Sequence, residues 1–336
     1  MAKRNYKSKK IEPSVLKLFL SVPGGETGLA TSYIDLSQCA SLVNRRFYRQ
    51  GINWAVKSMR IVSFTGAASS QILFSKLPNT WVMSNAWEKS FRAWQHMIKN
   101  ATDESGQQSI KGKFLDFKVF ADADHHNAGI NANLLPYSGT VNASEYTRGS
   151  WEPATIMIPD TVQPFNVATA TPFELIAVGP NDPGVGPSGF DAKSVIQGYA
   201  DSRALPSITD PNVPDDASSN WMLNLFNDGN EQDRDVTQML EITGDQPPYP
   251  FENDGTNLDT MYPGGETQAP QLEHHHQMLF TGTNNTGVLN YMVPGGNFPC
   301  GLIRIDAITG QDNFSLELEL VPGHHRGYLC EPMTEM

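Results

Sequence analysis

The sequence has few cysteines and no long apolar run. Its three cysteines, Cys39, Cys300 and Cys330, are too few and too scattered in 336 residues for a disulfide framework or a zinc site. We therefore expect the protein to be made in a reducing compartment. The apolar stretch within IEPSVLKLFLSVPGG is too short and too interrupted for a signal peptide or a membrane span. The sequence predicts a protein that does not insert into a membrane.

Local signatures of catalysis are also missing. No Ser–His–Asp, Cys–His or paired-carboxylate motif is evident in the sequence, so we predict that the protein is not an enzyme. Histidines do cluster, at His125–His126, at 274–276 and at His324–His325. Adjacent residues on a strand point to opposite faces, so one such pair seldom chelates a metal. We expect solvated or interfacial histidines and no resident cofactor.

Positive charge is scarce and concentrated at the start of the chain. The sequence has 24 Lys and Arg against 36 Asp and Glu, a net charge of −12. The first ten residues hold five of these cations and no acid, which leaves −17 on residues 11–336. Residues 1–12 are polar, charged and short of apolar side chains, and this composition is typical of a disordered arm.

Such an arm suits phosphate binding. Lysine and arginine on a flexible segment contact nucleic-acid phosphates without reading base sequence, and a tyrosine can stack on an exposed base. The alternative is a solubilising or nuclear-import tag. The candidate nucleic-acid-binding residues of the arm are Lys3, Arg4, Tyr6, Lys7, Lys9 and Lys10.

A second basic set follows a helical pattern. DLSQCASLVNRRFYRQG has apolar residues at helical spacing, with Ser37 as a candidate N-cap and Gly51 as a stop. No acid lies between Asp35 and Glu88. This set serves either nucleic-acid binding or helix capping and salt bridges to acidic loops. The candidates here are Arg45, Arg46 and Arg49, with Lys57 and Arg60 behind them.

The rest of the chain predicts strands joined by long loops. Short alternating segments such as SVLKLFLSV and KGKFLDFKVFAD are typical of strands, and GLIRIDAIT with NFSLELELVPG predicts a closing hairpin. SNAWEKSFRAWQHMI predicts a second helix, with Trp87, Phe91 and Trp94 on one face. We predict an all-β fold over residues 13–336: a single jelly roll, which is an eight-stranded β-sandwich, with two short inserted helices.

Residues 201–270 predict a long acidic loop insertion. Arg203 and Arg234 are the only cations in this stretch. NDGNEQDRD and ENDGTNLD supply carboxylates, although neither has the spacing of an EF-hand. One interpretation is a Ca²⁺ ion at subunit interfaces, and the other is an acidic solvated loop. The candidate metal ligands are Asp228, Asp233 and Asp235.

Two stretches resemble a known family. SYIDLSQCASLVNRRFYRQGINWAVKSM and KLPNTWVMSNAWEKSFRAWQ are similar to capsid proteins of small eukaryotic viruses whose circular single-stranded DNA genomes encode a replication initiator. The resemblance is most specific over residues 31–98. It implies a jelly roll that self-assembles into an icosahedral shell, with the basic arm pointing inward to the packaged DNA. It also implies a host receptor, a virion location and assembly in the host nucleus.

Two other functions are compatible with a β-rich chain of this kind. One is a β-sandwich module that binds carbohydrate or protein and carries a basic localisation tag. The other is a jelly-roll metalloenzyme of the cupin type, which only the histidine clusters favour. Particle size separates a capsid protein from both alternatives, and metal analysis identifies the metalloenzyme.

Overall fold

The computed structural model describes residues 14–25, 28–63, 69–106, 116–139, 144–158, 171–203, 222, 271–281, 289–308 and 313–335. Four helices lie within them: α1 (Leu36–Asn44), α2 (Trp81–Ser105), α3 (Ala123–Ala128) and α4 (Val195–Arg203). The strands are β1 (Lys17–Val22), β2 (Leu29–Asp35), β3 (Ile52–Ser63), β4 (Ser69–Lys76), β5 (Thr155–Ile158), β6 (Thr171–Ile176), β7 (Asp191–Ser194), β8 (Glu273–Thr281), β9 (Leu289–Phe298), β10 (Leu302–Ile308), β11 (Phe314–Leu320), β12 (Pro322–Gly323), β13 (Gly327–Tyr328) and β14 (Cys330–Pro332).

Eight strands form two antiparallel sheets through nested pairs. β1 pairs with β11, β2 with β10, β3 with β9 and β4 with β8. Since β11 also pairs with β3, the first sheet has the order β1-β11-β3-β9. In the second sheet β10 pairs with β4, which gives the order β2-β10-β4-β8. The last strand, β14, extends the first sheet beside the start of β3.

The inward faces of both sheets share one apolar core. Along β11, Leu316, Leu318 and Leu320 are buried, while the glutamates between them face outward. All eight strands contribute buried residues to the same cluster, for example Leu18 from β1 and Phe74 from β4. Strand side chains alternate between two faces, so each strand can supply one apolar face to the space between the sheets. The predicted β-rich architecture is confirmed, with antiparallel sheets arranged as in a β-sandwich.

The chain between β4 and β8 builds a second core. It carries α2 to α4 and a small sheet in which β5 is antiparallel and β7 parallel to β6. The buried cluster here joins Trp87 and Trp94 of α2 to Leu175 of β6, and it includes Tyr33 and Leu302 from the larger sandwich. The inserted segment is therefore packed onto the sandwich through shared apolar contacts.

The helices differ from expectation at their boundaries. α1 begins after Asp35, whose carboxylate accepts hydrogen bonds from the backbone of Ser37 and Gln38, so Asp35 and not Ser37 is the N-cap. It ends at Asn44 because Arg45 has a φ of 54°, which terminates the helix in the left-handed region. α2 runs for 25 residues and is not short, and α3 and α4 are additional. None of the described helices is long and apolar enough to cross a membrane.

Two strand predictions were wrong in detail. β10 and β11 do not form a hairpin, because they lie in different sheets, although both contribute buried residues to the same core. Residues 116–122 of the KGKFLDFKVFAD segment are not a strand, although Phe120 makes one isolated bridge to Ile176. Their alternating apolar residues are nevertheless buried, which explains why the pattern looked like a strand.

We predict that Trp94→Ala lowers the free energy of unfolding by roughly 3–5 kcal/mol, because it removes a buried ring and leaves a cavity. Trp94 is 7% exposed and its ring lies 5.5 Å from that of Phe117. Urea denaturation measures the change. Arg92→Ala in the same helix is the control, since it removes only the exposed pair with Glu88 and should cost less than ~1 kcal/mol. Equal effects of the two variants would contradict the packing described.

Candidate nucleic-acid interface

The structure describes only part of the predicted binding set. Lys3, Arg4, Tyr6, Lys7, Lys9 and Lys10 lie outside the described residues, as do the acidic candidates Asp228, Asp233 and Asp235. Arg45, Arg46 and Arg49 lie in the loop between α1 and β3, which we call the basic loop and define as residues 45–50. Arg45 and Arg49 are exposed. These arginines follow the helix and do not form its last turn.

The described chain begins beside the basic loop. The amide of Val15 donates a 3.0 Å hydrogen bond to the side-chain oxygen of Asn44, the last residue of α1. The hydroxyl of Ser14 donates to the carbonyl of Arg326 at 2.7 Å. The guanidinium of Arg326 in turn donates to the carbonyl of Phe47 within the basic loop. The start of the described chain, the basic loop and the turn at 324–327 are therefore held together by direct contacts.

The buried side chain of Tyr328 joins these three segments. Its hydroxyl donates to the Val15 carbonyl at 2.6 Å and accepts from the Asn44 amide group at 2.7 Å. Its ring packs against those of Tyr48 and Trp54, with centroids 5.5 Å and 5.4 Å away. Burial of the phenol raises the pKa of Tyr328 to about 12, so the hydroxyl stays protonated at neutral pH. The start of the described chain, the basic loop and the turn at 324–327 thus meet around one neutral hydroxyl, and we call this contact the junction.

The junction gathers positive charge from two parts of the chain. Exposed Arg326 lies in contact with the loop that carries Arg45, Arg46 and Arg49. The nearby ring of His325 is half-buried, and this burial, together with the charge of Arg326, lowers its pKa. The local charge at neutral pH therefore comes from arginine. Guanidinium groups suit phosphate contacts because their planar donors can bond two oxygens at once.

Lys57 and Arg60 lie elsewhere, on the outer face of the first sheet. Lys57 pairs with Glu319 at 2.7 Å, and Arg60 lies 3.8 Å from Glu317. Lys17 also pairs with Glu317, at 2.5 Å. The structure therefore separates Lys57 and Arg60 from the basic loop and pairs them with glutamates of β11. The predicted acidic loop insertion at 201–270 lies almost entirely outside the described residues.

An apolar cavity of about 410 Å³ opens beside the basic loop. Phe47 and Arg49 of the loop line it together with Trp87 and Phe91 of α2, and Arg326 completes one side. The helical pattern of the sequence predicts Trp87 and Phe91 on one apolar face. It does not predict the cavity, because the wall residues come from four separate segments. The one relevant feature of the sequence is the segment NRRFYRQ, in which aromatic residues lie next to arginines. This pattern indicates a surface that can combine ring stacking with positive charge.

The paired histidines of α3 are buried, and the expectation of solvated or interfacial histidines was wrong for them. The backbone amide of Ala121 donates to His125 Nδ1, so Nε2 carries the proton and bonds Asn133 Oδ1 at 2.7 Å. Burial lowers the pKa of His125 to about 4, which keeps the ring neutral. His126 lies 3.0 Å from buried Glu174. No group of three or more metal-ligating side chains occurs among the described residues.

Comparison with known proteins adds no assignment. Family models, curated proteins and solved structures give no match to this chain. The function must therefore be inferred from the junction, the sheets and the charge distribution.

We predict that Tyr328→Phe lowers the free energy of unfolding by about 1–3 kcal/mol. The ring packing is kept, but the Val15 carbonyl loses its donor and Asn44 loses an acceptor. Thermal or urea denaturation measures the change. Tyr291→Phe is the control, because Tyr291 is 42% exposed and its substitution should stay within ~0.5 kcal/mol. A neutral Tyr328→Phe would show that the hydroxyl does not hold the junction.

Proposed function

We propose that the protein is the capsid protein of a small virus with a circular single-stranded DNA genome. Copies of the chain assemble into an icosahedral shell of about 60 subunits or a multiple of that number, and the basic N-terminal arm packages the genome. The observation that carries this proposal is the junction, in which Arg326 contacts both Ser14, at the start of the described chain, and a loop of three arginines. The proposed locations are the virion and, during assembly, the host nucleus.

The strand order supports a jelly roll as the shell-forming unit. Four nested antiparallel pairs, divided between the sheets β1-β11-β3-β9 and β2-β10-β4-β8, arise when one long two-stranded ribbon is rolled into a sandwich. A double-sheet jelly roll of eight strands is built in this way and is common in viral capsids, lectins and cupins. The fold alone does not select among these functions, so charge and surface must do so.

The two edges of the sandwich differ in a way that favours self-assembly. At one edge, the amides of Leu134 and Tyr137 donate 2.8 Å hydrogen bonds to the carbonyls of Tyr33 in β2 and Phe19 in β1. At the other edge, no described strand pairs with the outer side of β8 or β9. Leu279 and Met292 on these strands are 69% and 59% exposed. An unpaired edge with exposed apolar side chains is typical of a protein interface.

The charge distribution supports an inner and an outer side. Residues 11–336 carry −17, whereas the first ten carry +5. An acidic shell resists non-specific adhesion to nucleic acid, while a basic arm confined to the interior meets the genome at high local concentration. Each arm neutralises about five phosphates at most, so binding is strong only through many copies.

We predict that the double variant Leu279→Glu with Met292→Glu prevents particle formation, because like charges replace apolar contacts at the open edge. Negative-stain electron microscopy and light scattering should show particles for the natural chain and subunits or small oligomers for the variant. Val185→Glu is the control, since Val185 is 67% exposed but lies in the loop before β7. Intact particles from the double variant would mean that this edge is not an assembly contact. A natural chain that remains monomeric at every salt concentration and pH would contradict the capsid proposal itself.

We predict that replacing Lys3, Arg4, Lys7, Lys9 and Lys10 with serine lowers the nucleic acid content of particles and leaves folding intact. The ratio of absorbance at 260 nm to that at 280 nm measures the content. The salt dependence of single-stranded DNA binding should also flatten by up to ~3–4 units, at ~0.7 per phosphate. A parallel variant with Arg45, Arg46 and Arg49 replaced by serine measures how much of the nucleic acid content depends on the basic loop. Unchanged content in the arm variant would move the packaging role to that loop.

A further inference from the structure

The cavity beside the basic loop has the size and walls of a small-molecule site. Its volume of about 410 Å³ falls within the roughly 300–1,000 Å³ that such sites occupy. Trp87 and Phe91 stack on each other with ring centroids 5.2 Å apart, and Phe117 meets Trp87 edge-on at 5.6 Å. Phe47 adds a half-buried ring from the basic loop. A flat aromatic ligand would find ring surfaces on several sides.

The cavity wall is tightly packed on the α2 side. Trp87 is 6% exposed, and Gly51 lies so close to its ring that a Cβ at Gly51 would come within 2.1 Å. The half-buried rings of Phe47 and Phe91 therefore supply the accessible aromatic surface.

The mouth of the cavity favours a negatively charged ligand. Arg49 and Arg326 both line the cavity and are exposed to solvent. Among the described residues that line the cavity, Glu88 is the one acid, and its carboxylate accepts a 2.6 Å hydrogen bond from Arg92. An aromatic interior with an arginine rim matches a nucleotide, in which a flat base is joined to an anionic phosphate.

We propose that the cavity binds one base of single-stranded DNA. The base packs against Phe47 and Phe91, and the adjoining phosphates lie on Arg49 and Arg326. This inference rests on the proposed packaging function and refines it, since it adds a base-binding site to a sequence-independent electrostatic contact. The junction sets the site next to the origin of the basic arm, so one strand can contact both.

The experiment compares two DNA probes on the full-length chain. Fluorescence anisotropy at fixed salt measures the affinity for a short oligothymidylate and for an abasic oligomer of equal length and charge. Since stacking of one base contributes a factor of at least about five in affinity, the natural chain should prefer the oligothymidylate by that factor or more. Phe91→Leu removes a half-buried ring from the cavity wall, so it should reduce the preference and leave the salt dependence unchanged.

The control and a second variant separate this effect from loss of folding. Trp94→Phe alters an aromatic ring of the same helix that does not line the cavity, and it should keep the preference. Phe47→Leu removes the half-buried ring of the basic loop and should also lower the preference if Phe91→Leu does not fold. Equal binding of both probes by the natural chain, with normal salt dependence, overturns the base site but not packaging. Failure of both probes to bind overturns both proposals.

Discussion

The hydroxyl of Tyr328 is the point on which the proposed interface depends. A buried hydroxyl must be bonded, and here it bridges the Val15 carbonyl and the Asn44 side chain. These bonds fix where the N-terminal segment leaves the sandwich relative to the end of α1. The backbone of Arg45 then turns away from the helix, and Arg45 and Arg49 of the basic loop are exposed near this point. The position of the basic loop relative to the start of the described chain thus depends on the hydrogen bonds of one neutral group, the Tyr328 hydroxyl.

A second polar cluster holds the inserted segment against the sandwich. Asp122, just before α3, accepts hydrogen bonds from the Tyr33 hydroxyl at 2.7 Å and from the Arg304 guanidinium at 2.6 Å. Tyr33 belongs to β2 and Arg304 to β10, so one carboxylate contacts two neighbouring strands. The Arg304 side chain also reaches Asp306, which offsets the desolvation of the guanidinium. Together with the shared apolar contacts, this cluster fixes how the two cores meet.

The surfaces that support the proposed function are not contained in any single segment. The edge at β1 and β2, the edge at β8 and β9, and the aromatic cavity at α2 are each formed by residues far apart in the chain. A β-sandwich is compatible with binding modules and enzymes as well as with shells. A shell is proposed here because an edge with exposed apolar side chains, on which no described strand pairs, accompanies a basic N-terminal sequence on an otherwise acidic chain.

The sequence by itself determined the β-rich class, the alternating face of β11, the apolar stripe of α2 and the separation of charge, because these depend on local periodicity and composition. It misplaced the end of α1 and paired β10 with β11, because a positive φ and the choice between two sheets depend on distant partners. Only the tertiary structure decided that Arg326 joins the basic loop, that His125 is buried and neutral, and that Trp87 lines a cavity. The physical reason is that burial, hydrogen-bond satisfaction and the meeting of charges are properties of packed segments, and local patterns carry little information about which segments pack together.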